Sequence, residues 1–472
     1  MTNMTFKTLA LALGLSLAGI TQASTAPLPK DLPAYAPDKP LPVPQITQRT
    51  LPNGLTVWVV PRTEGLPKVS LSLAVLGGTA SDDASTPAIS SLLAGLLNEG
   101  TDTLSSQQIA EHLQTIGGDY GAEASDDAIT ITADALSAHA PELVQLVADT
   151  VLHPSFPEKE VILTKANALQ SLKARDANPN WQAQRAFSTA AFGDHPYARS
   201  SITTASIEAT TPASMKALHA KRFRPDRTVL VIAGRISADE AMTLAEQQFG
   251  GWKGEGPKPA VVPAAPSQVA PQRLLVTREG AVQSNIRYGR PTVATNHPDY
   301  IPLAVTNVIL GGSFSSRLVQ DIREDKGYSY SPRSRVASFR EGGNALAQVD
   351  VRNEVTGATL SELTKLYDSM GTQAPSDEEL NGAKRLAIGG YLLSNQIQST
   401  QAGSLARFWV EGLPASYLGT YVAKAQAVTA DQVQAIGRKY FAAKDQSIIV
   451  VGDPKAIDGQ LKPYGEFKPF KP

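Results

Sequence analysis

Thr429–Gly452 reads TADQVQAIGRKYFAAKDQSIIVVG, and Thr211–Gly234 reads TPASMKALHAKRFRPDRTVLVIAG. The two align without a gap. Thr211 falls on Thr429, Ala217 on Ala435, Phe223 on Phe441 and Gly234 on Gly452. Each is a Thr-capped amphipathic helix, a polar turn and an apolar strand ending in Gly. A shared cap, Phe and terminal Gly at fixed offsets mark an internal duplication. Strands and helices mix in each half without strict βαβ alternation, which predicts two homologous α+β domains.

Between the copies, Gly254–Pro271 (GEGPKPAVVPAAPSQVAP) is a Pro/Ala-rich linker. It sets an N-terminal domain over residues 46–252, a linker over 253–272 and a C-terminal domain over 273–472. In the first half, Leu55–Val60 and Val69–Val75 read as paired strands and Ala128–Ala133 as another strand. Thr86-Pro87 caps a helix running to Asn98, Gln107–Ile116 is a second helix, and longer ones follow from Ala140 and Pro157.

The N-terminus precedes this plan. Met1–Ala23 (MTNMTFKTLALALGLSLAGITQA) has Lys7, an apolar run from Leu9 to Ile20 and small residues at its end. That is the pattern of a secretory signal peptide cleaved near Ala23, and the apolar run is short for a membrane span. A Pro-rich segment over 24–45 follows. No later run has the length and apolarity of a membrane span. The expected location is the bacterial periplasm. The 472 residues carry a net charge of −1, which argues against nucleic acid as a partner, and no cysteine, which excludes thiol chemistry and Cys-type metal sites.

Gly311–Ser334 (GGSFSSRLVQDIREDKGYSYSPRS) carries the chemistry. Ser315 is placed to cap a helix whose apolar face is Leu318, Val319 and Ile322, with Phe314 and Val319 at staple spacing. Gly327 ends the helix, and Tyr328 and Tyr330 then share one face of a following strand. Arg323 lies at the border of the apolar stripe, with its guanidinium free to reach outward.

This segment resembles the C-terminal-half motif of the pitrilysin/insulinase family of zinc peptidases. There an Arg, six residues and a Tyr come from the half opposite the zinc and bind the substrate carbonyl. Arg323 and Tyr330 have that spacing. Asn53-Gly54-Leu55 resembles the family's first-strand entry, and Asp194-His195-Pro196-Tyr197 a recurring mid-domain loop. The resemblance implies a two-domain, clam-like metallopeptidase-homologue architecture.

One departure is decisive. Family members that cleave carry His-x-x-Glu-His on the first helix and a further Glu about 75 residues on, two His one turn apart being able to share a zinc ion. Anchored on Gly100-Thr101, the His positions here are Ser91 and Gly95, the Glu position is Ala94, and the distal Glu falls at Ser171. The six histidines (His112, His139, His153, His195, His219, His297) include no such pair, and His195 reads as a structural loop residue. Asp82-Asp83 and Asp126-Asp127 lack the ligand spacing of calcium loops and read as solvated turns.

The resemblance therefore implies a non-catalytic subunit of a periplasmic two-subunit peptidase, inactive alone. It would hold no cofactor. A homologous partner with an intact His-x-x-Glu-His would hold the zinc in a heterodimer, and this chain would lend Arg323 and Tyr330 to a peptide or unfolded polypeptide substrate. A catalytically silent scaffold or peptide-binding homologue without a peptidase partner is the alternative.

Overall fold

A computed structural model describes residues 43–254 and 256–471. The signal-peptide reading and most of the Pro-rich segment fall outside the described residues. Two six-stranded mixed sheets organise the rest. The first holds β1 (Thr47–Thr50), β2 (Thr56–Pro61), β3 (Lys68–Leu76), β4 (Asp119–Ala124), β5 (Ala128–Leu136) and β6 (Thr228–Gly234), in the order β1-β2-β6-β3-β5-β4. The second holds β7 (Arg273–Thr277), β8 (Gln283–Thr292), β9 (Arg333–Ser338), β10 (Gly343–Arg352), β11 (Ser447–Gly452) and β12 (Lys468–Pro469), in the order β12-β7-β11-β8-β10-β9.

Past the outermost strand of each, the two orders are the same. A first strand pairs in parallel with the last, β2 with β6 and β7 with β11, and the other neighbours run antiparallel. The duplicated segment supplies that last strand in both halves. Thr211 and Thr429 each close a capping box on the helix that follows them, Pro212–Arg222 and Ala430–Tyr440. Phe223 and Phe441 are buried at the same offset.

The halves also exchange helices. Helix Pro179–Phe192 of the first half packs on β8 and β11 of the second sheet, and helix Gln398–Val410 of the second half packs on β3 and β6 of the first. The first sheet is thus covered on both faces. Val57, Val59, Leu71 and Leu73 face one core, while Trp58, Val60, Val229 and Val231 face the core shared with the second half. Burial on both faces explains why β6 is apolar throughout. Ser70 and Ser72 keep β3 thin where the visiting helix lies, and Gln398 Nε2 donates to Ser70 Oγ (3.1 Å) and Lys68 O (3.2 Å).

Two local expectations change. β2 and β3 are not neighbours, because β6 inserts between them and pairs with both. The helix expected from Thr86-Pro87 to Asn98 spans only Ser90–Leu96. Ala88 has φ +55°, a left-handed conformation that no helix can pass through, so the helix starts after it.

Candidate functional site

Residues 311–334 form one closed loop whose two ends are tied together. Ser334 N donates to Gly311 O (2.8 Å), Asn307 Nδ2 donates to Ser334 O (3.1 Å), and Ser334 Oγ donates to Asn307 Oδ1 (2.6 Å). A Cβ at Gly311 would lie 2.6 Å from Ser334 Cβ and 2.9 Å from Leu318 Cδ2, so the closure requires glycine there. Inside the loop, helix Val319–Asp325 is wound wider than an α-helix. Lys326 N donates five residues back, to Asp321 O (3.0 Å), and Tyr328 N six back, to Ile322 O (2.9 Å). Such wide turns are recurrent at functional sites. Leu318, Val319 and Ile322 are buried as expected, and Gly327 ends the helix at φ +63°.

Three details of the expected segment are corrected. Ser315 does not cap the helix; its Oγ lies 3.4 Å from Ser313 Oγ in the loop before it. Phe314 is 66% exposed and is not a buried staple. Tyr328 and Tyr330 precede the strand, because β9 begins at Arg333, and Ser329 Oγ anchors this stretch by donating to Asp350 O (2.8 Å).

Arg323 and Tyr330 do come together. The guanidinium carbon of Arg323 lies 4.7 Å from the centre of the Tyr330 ring and 4.7 Å from the centre of the Phe314 ring. Each exposed cation–π contact contributes about 0.5–1 kcal/mol, enough in pair to hold a long side chain in place. The contact to each ring is made at the guanidinium carbon, and the N–H donors of a guanidinium lie in its plane, at its edge. Arg323 Nε also pairs with Glu324 Oε1 (3.2 Å). Tyr330 is 81% exposed, and among the described residues its hydroxyl has no hydrogen-bond partner. Both side chains line a cavity of about 380 Å³, together with Phe314, Ser331 and Arg333. The cavity is therefore lined by several donors and by no carboxylate, Glu324 holding only the Nε side of Arg323, which suits a carbonyl oxygen gaining negative charge. Phe314 was missed as a site residue; its nine-residue separation from Arg323 gives no sequence signal of the contact.

The positions of the absent metal motif sit on a surface of the first half. Ser91 and Gly95 are exposed on one face of helix Ser90–Leu96, a turn apart, while Ala94 is fully buried in the core. Ser171 is exposed on helix Glu158–Asp176, which touches the first helix through Leu92 and Leu172. The fold keeps these positions on adjoining helices, but their residues do not fit a zinc ion. Ala and Gly bring no donor atom, and a neutral serine hydroxyl is a poor zinc ligand. Among the described residues, no three of His, Asp and Glu are grouped so as to hold a metal ion.

The two acidic pairs are structural rather than solvated. Asp82 is buried and bonded to Arg222 Nη2 (3.0 Å), itself 2% exposed. Asp82 also accepts from Ser90 N (3.0 Å) and Ser90 Oγ (2.5 Å), so it anchors the start of the short helix from eight residues away. Burial pushes the Asp82 carboxyl up and the Arg222 guanidinium down, more than their mutual attraction restores. Asp83 alone is exposed. Asp127 accepts from Tyr197 OH (2.6 Å) and from Arg340 N (2.8 Å), joining the first half to the β9–β10 turn. Burial and the neighbouring Asp127 raise Asp126 to about 6. His195 is a loop residue as read: Nδ1 accepts from Tyr197 N (3.2 Å), and Nε2 lies 2.9 Å from Pro263 O of the linker.

Comparison with known proteins gives a consistent picture. Residues 58–205 match the model of the insulinase peptidase family (M16), and residues 209–386 match that of the peptidase M16 inactive domain. A Mycobacterium tuberculosis protein described as an uncharacterized zinc protease is 27% identical over 439 residues, covering 91% of this chain and 99% of its own. A Helicobacter pylori protein described as a non-peptidase homolog is 22% identical over 397 residues, covering 83% and 90%. Among solved structures, the peptidase M16 inactive domain from Pseudomonas fluorescens superposes with a TM-score of 0.81 at 26% identity, covering 86% of this chain and 98% of that one. A protease structure from Helicobacter pylori superposes at 0.82 with 18% identity, covering 87% and 100%, and speaks for the fold alone.

Proposed function

The chain belongs to the insulinase (M16) peptidase family as an inactive homologue, and from that premise we propose that it is the non-catalytic subunit of a two-subunit zinc peptidase. A homologous partner with an intact His-x-x-Glu-His holds the zinc and the base that activates water. This chain supplies Arg323 and Tyr330, whose donors take the carbonyl oxygen of the peptide bond under attack. The observation that carries the reading is a contrast within one chain. Arg323 is held between the rings of Phe314 and Tyr330 at a cavity, while Ser91, Ala94, Gly95 and Ser171 offer a zinc ion no good ligand.

When zinc is bound in the partner, it polarises the carbonyl and lowers the pKa of attacking water. The work of this chain is orientation and charge stabilisation. A donor aimed at a developing oxyanion typically contributes about 10²–10³ in rate, mostly in kcat. The substrate is a peptide or unfolded polypeptide. The Met1–Ala23 leader supports export to the periplasm, so the substrates are peptides of that compartment. Among the described residues no helix is long and apolar enough to cross a membrane.

The test is recovery of the assembly. Tagged protein from its native host should bring down a zinc-containing homologue, and peptide cleavage should appear only when both chains are present. Recovery of the chain alone, with peptide bound and never cut, contradicts the proposal and leaves a silent peptide-binding homologue.

A further inference from the structure

A second cavity, of about 270 Å³, adjoins the Arg323 cavity and shares Tyr330, Ser331 and Arg333 with it. Its base is the polar end of one face of the second sheet. Side chains alternate along a strand, so Gln348, Asp350 and Arg352 of β10 share a face. The register sets Arg333 of β9 and Arg287 of β8 on either side of Gln348, and Arg335 lies two residues beyond Arg333. Helix Pro179–Phe192 covers the apolar remainder of that face through Phe187, against Leu346 and Ile449, and ends over the cavity at Asn180.

The charges around this cavity do not balance. Four guanidinium groups lie on this face of the sheet (Arg287, Arg333, Arg335 and Arg352), of which Arg333 and Arg352 line the cavity, and its one lining carboxylate, Asp350, stands 3.5 Å from Arg287 Nη1. Arg333 Nε donates to Gln348 Oε1 (3.0 Å) and Arg335 Nη2 to Gln184 Oε1 (3.3 Å), both neutral acceptors. Among the described residues, Arg333, Arg335 and Arg352 have no carboxylate partner. Burial holds Arg287 down to about 10, and Arg333 and Arg335 deepen the shift against the pull of Asp350. The N-terminus of helix Pro179–Phe192 adds its own positive end. Arg333 and Arg352 line the open part of the cavity, where a carboxylate can accept from a guanidinium fork.

We propose that this second cavity is a carboxylate-binding subsite, which takes an acidic group of a peptide whose backbone carbonyl is held by Arg323 and Tyr330. The group is the side chain of a nearby Glu or Asp, or the peptide's own terminal carboxylate. The proposal rests on the carbonyl-binding reading of the neighbouring cavity and adds a substrate preference to it.

The experiment is fluorescence anisotropy on the full chain with three labelled peptides. The first has a central Glu and an amidated end, the second has Gln in its place, and the third is the Gln peptide with a free terminal carboxylate. The Glu peptide should bind about tenfold more tightly than its amidated Gln twin, as expected for a charge-assisted hydrogen bond. The margin should shrink with added salt. Arg352→Gln should remove it, and Arg352→Glu should invert it. Tighter binding of the third peptide alone assigns the site to the chain terminus. Equal affinity for all three peptides, or no binding up to millimolar concentrations, overturns the subsite. The two readings fail separately: Arg323→Ala should slow cleavage by the assembled pair and leave the Glu-to-Gln ratio unchanged. A persistent ratio without any Arg323 effect on cleavage sinks the carbonyl reading alone.

Discussion

The guanidinium carbon of Arg323 stands 4.7 Å from the ring centre of Tyr330, at the same distance as from Phe314, so the cation lies against two rings with different abilities. Both rings fix the arginine. Only Tyr330 adds a hydroxyl that can donate to substrate.

Substitutions separate these contributions. Tyr330→Phe keeps the stack and removes the donor, and should lower kcat of the assembled pair by about 10²–10³. Phe314→Ala leaves both donors and loosens the arginine, so its loss should stay within about fivefold, the value of one exposed cation–π contact. Steady-state kinetics on a fluorogenic peptide reads both. A Phe314→Ala loss as large as that of Arg323→Ala would mean that the ring itself contacts substrate.

The buried Asp82–Arg222 pair is a stability element. Removing one partner strands a charge in the core, so Asp82→Asn or Arg222→Met should cost about 3–5 kcal/mol in urea unfolding at pH 7. Replacing both with apolar residues should recover most of that loss, because neither charge is then left behind. Single variants within 1 kcal/mol of the parent, on the order of ordinary surface changes, would show that the pair is not coupled.

Acid titration should reveal two opposed groups. Asp126 is raised to about 6 in the folded chain, so it binds a proton more readily folded than unfolded. Its contribution is present below the unfolded pKa near 4 and is lost as pH rises through 6. His219 is held down to about 4 by burial, with Nε2 2.8 Å from Val151 O and its ring stacked on Phe223. Its contribution is present above about 6.5 and is lost as pH falls toward 4. Between pH 4 and 6 the two slopes oppose each other. Asp126→Asn should therefore make stability fall more steeply on acidification, by roughly 2–3 kcal/mol across that window. An unchanged slope in chemical denaturation would contradict the placement of Asp126.

Metal binding should follow the residues. The parent chain should show no zinc-dependent shift in melting temperature. Ser91→His with Gly95→His places two imidazoles one turn apart on an exposed face, and a Cβ at Gly95 meets nothing within 4 Å. That double variant should gain a zinc-dependent rise in melting temperature. Adding Ala94→Glu puts a carboxylate into a fully buried position and should lower stability in the absence of metal. A zinc response in the parent would mean that other residues form a site.

What the chain disclosed in advance follows the range of each interaction. The duplication was legible because its signals are local: Thr211 and Thr429 cap helices three residues ahead, and each apolar strand lies within the same 24 residues. The meeting of Arg323 and Tyr330 was legible only through the resemblance, since a surface arginine and an exposed tyrosine carry no periodic mark. Long-range partners hid the rest. β6 enters between β2 and β3 from more than 150 residues downstream, and nothing in either strand announces it. Asp82 looked like a turn residue because its partner Arg222 is 140 residues away. The late start of the expected Thr86–Asn98 helix comes from the backbone at Ala88, an alanine in a conformation its side chain disfavours.

The most direct test is the cleavage rate of the assembly recovered with this chain, measured with parent chain and with Arg323→Ala/Tyr330→Phe at equal zinc content. The expected result is a loss of at least about 10³ in kcat, in line with two oxyanion donors removed, with the partner's zinc retained. An unchanged kcat for the double variant would show that the chemistry does not pass through this chain.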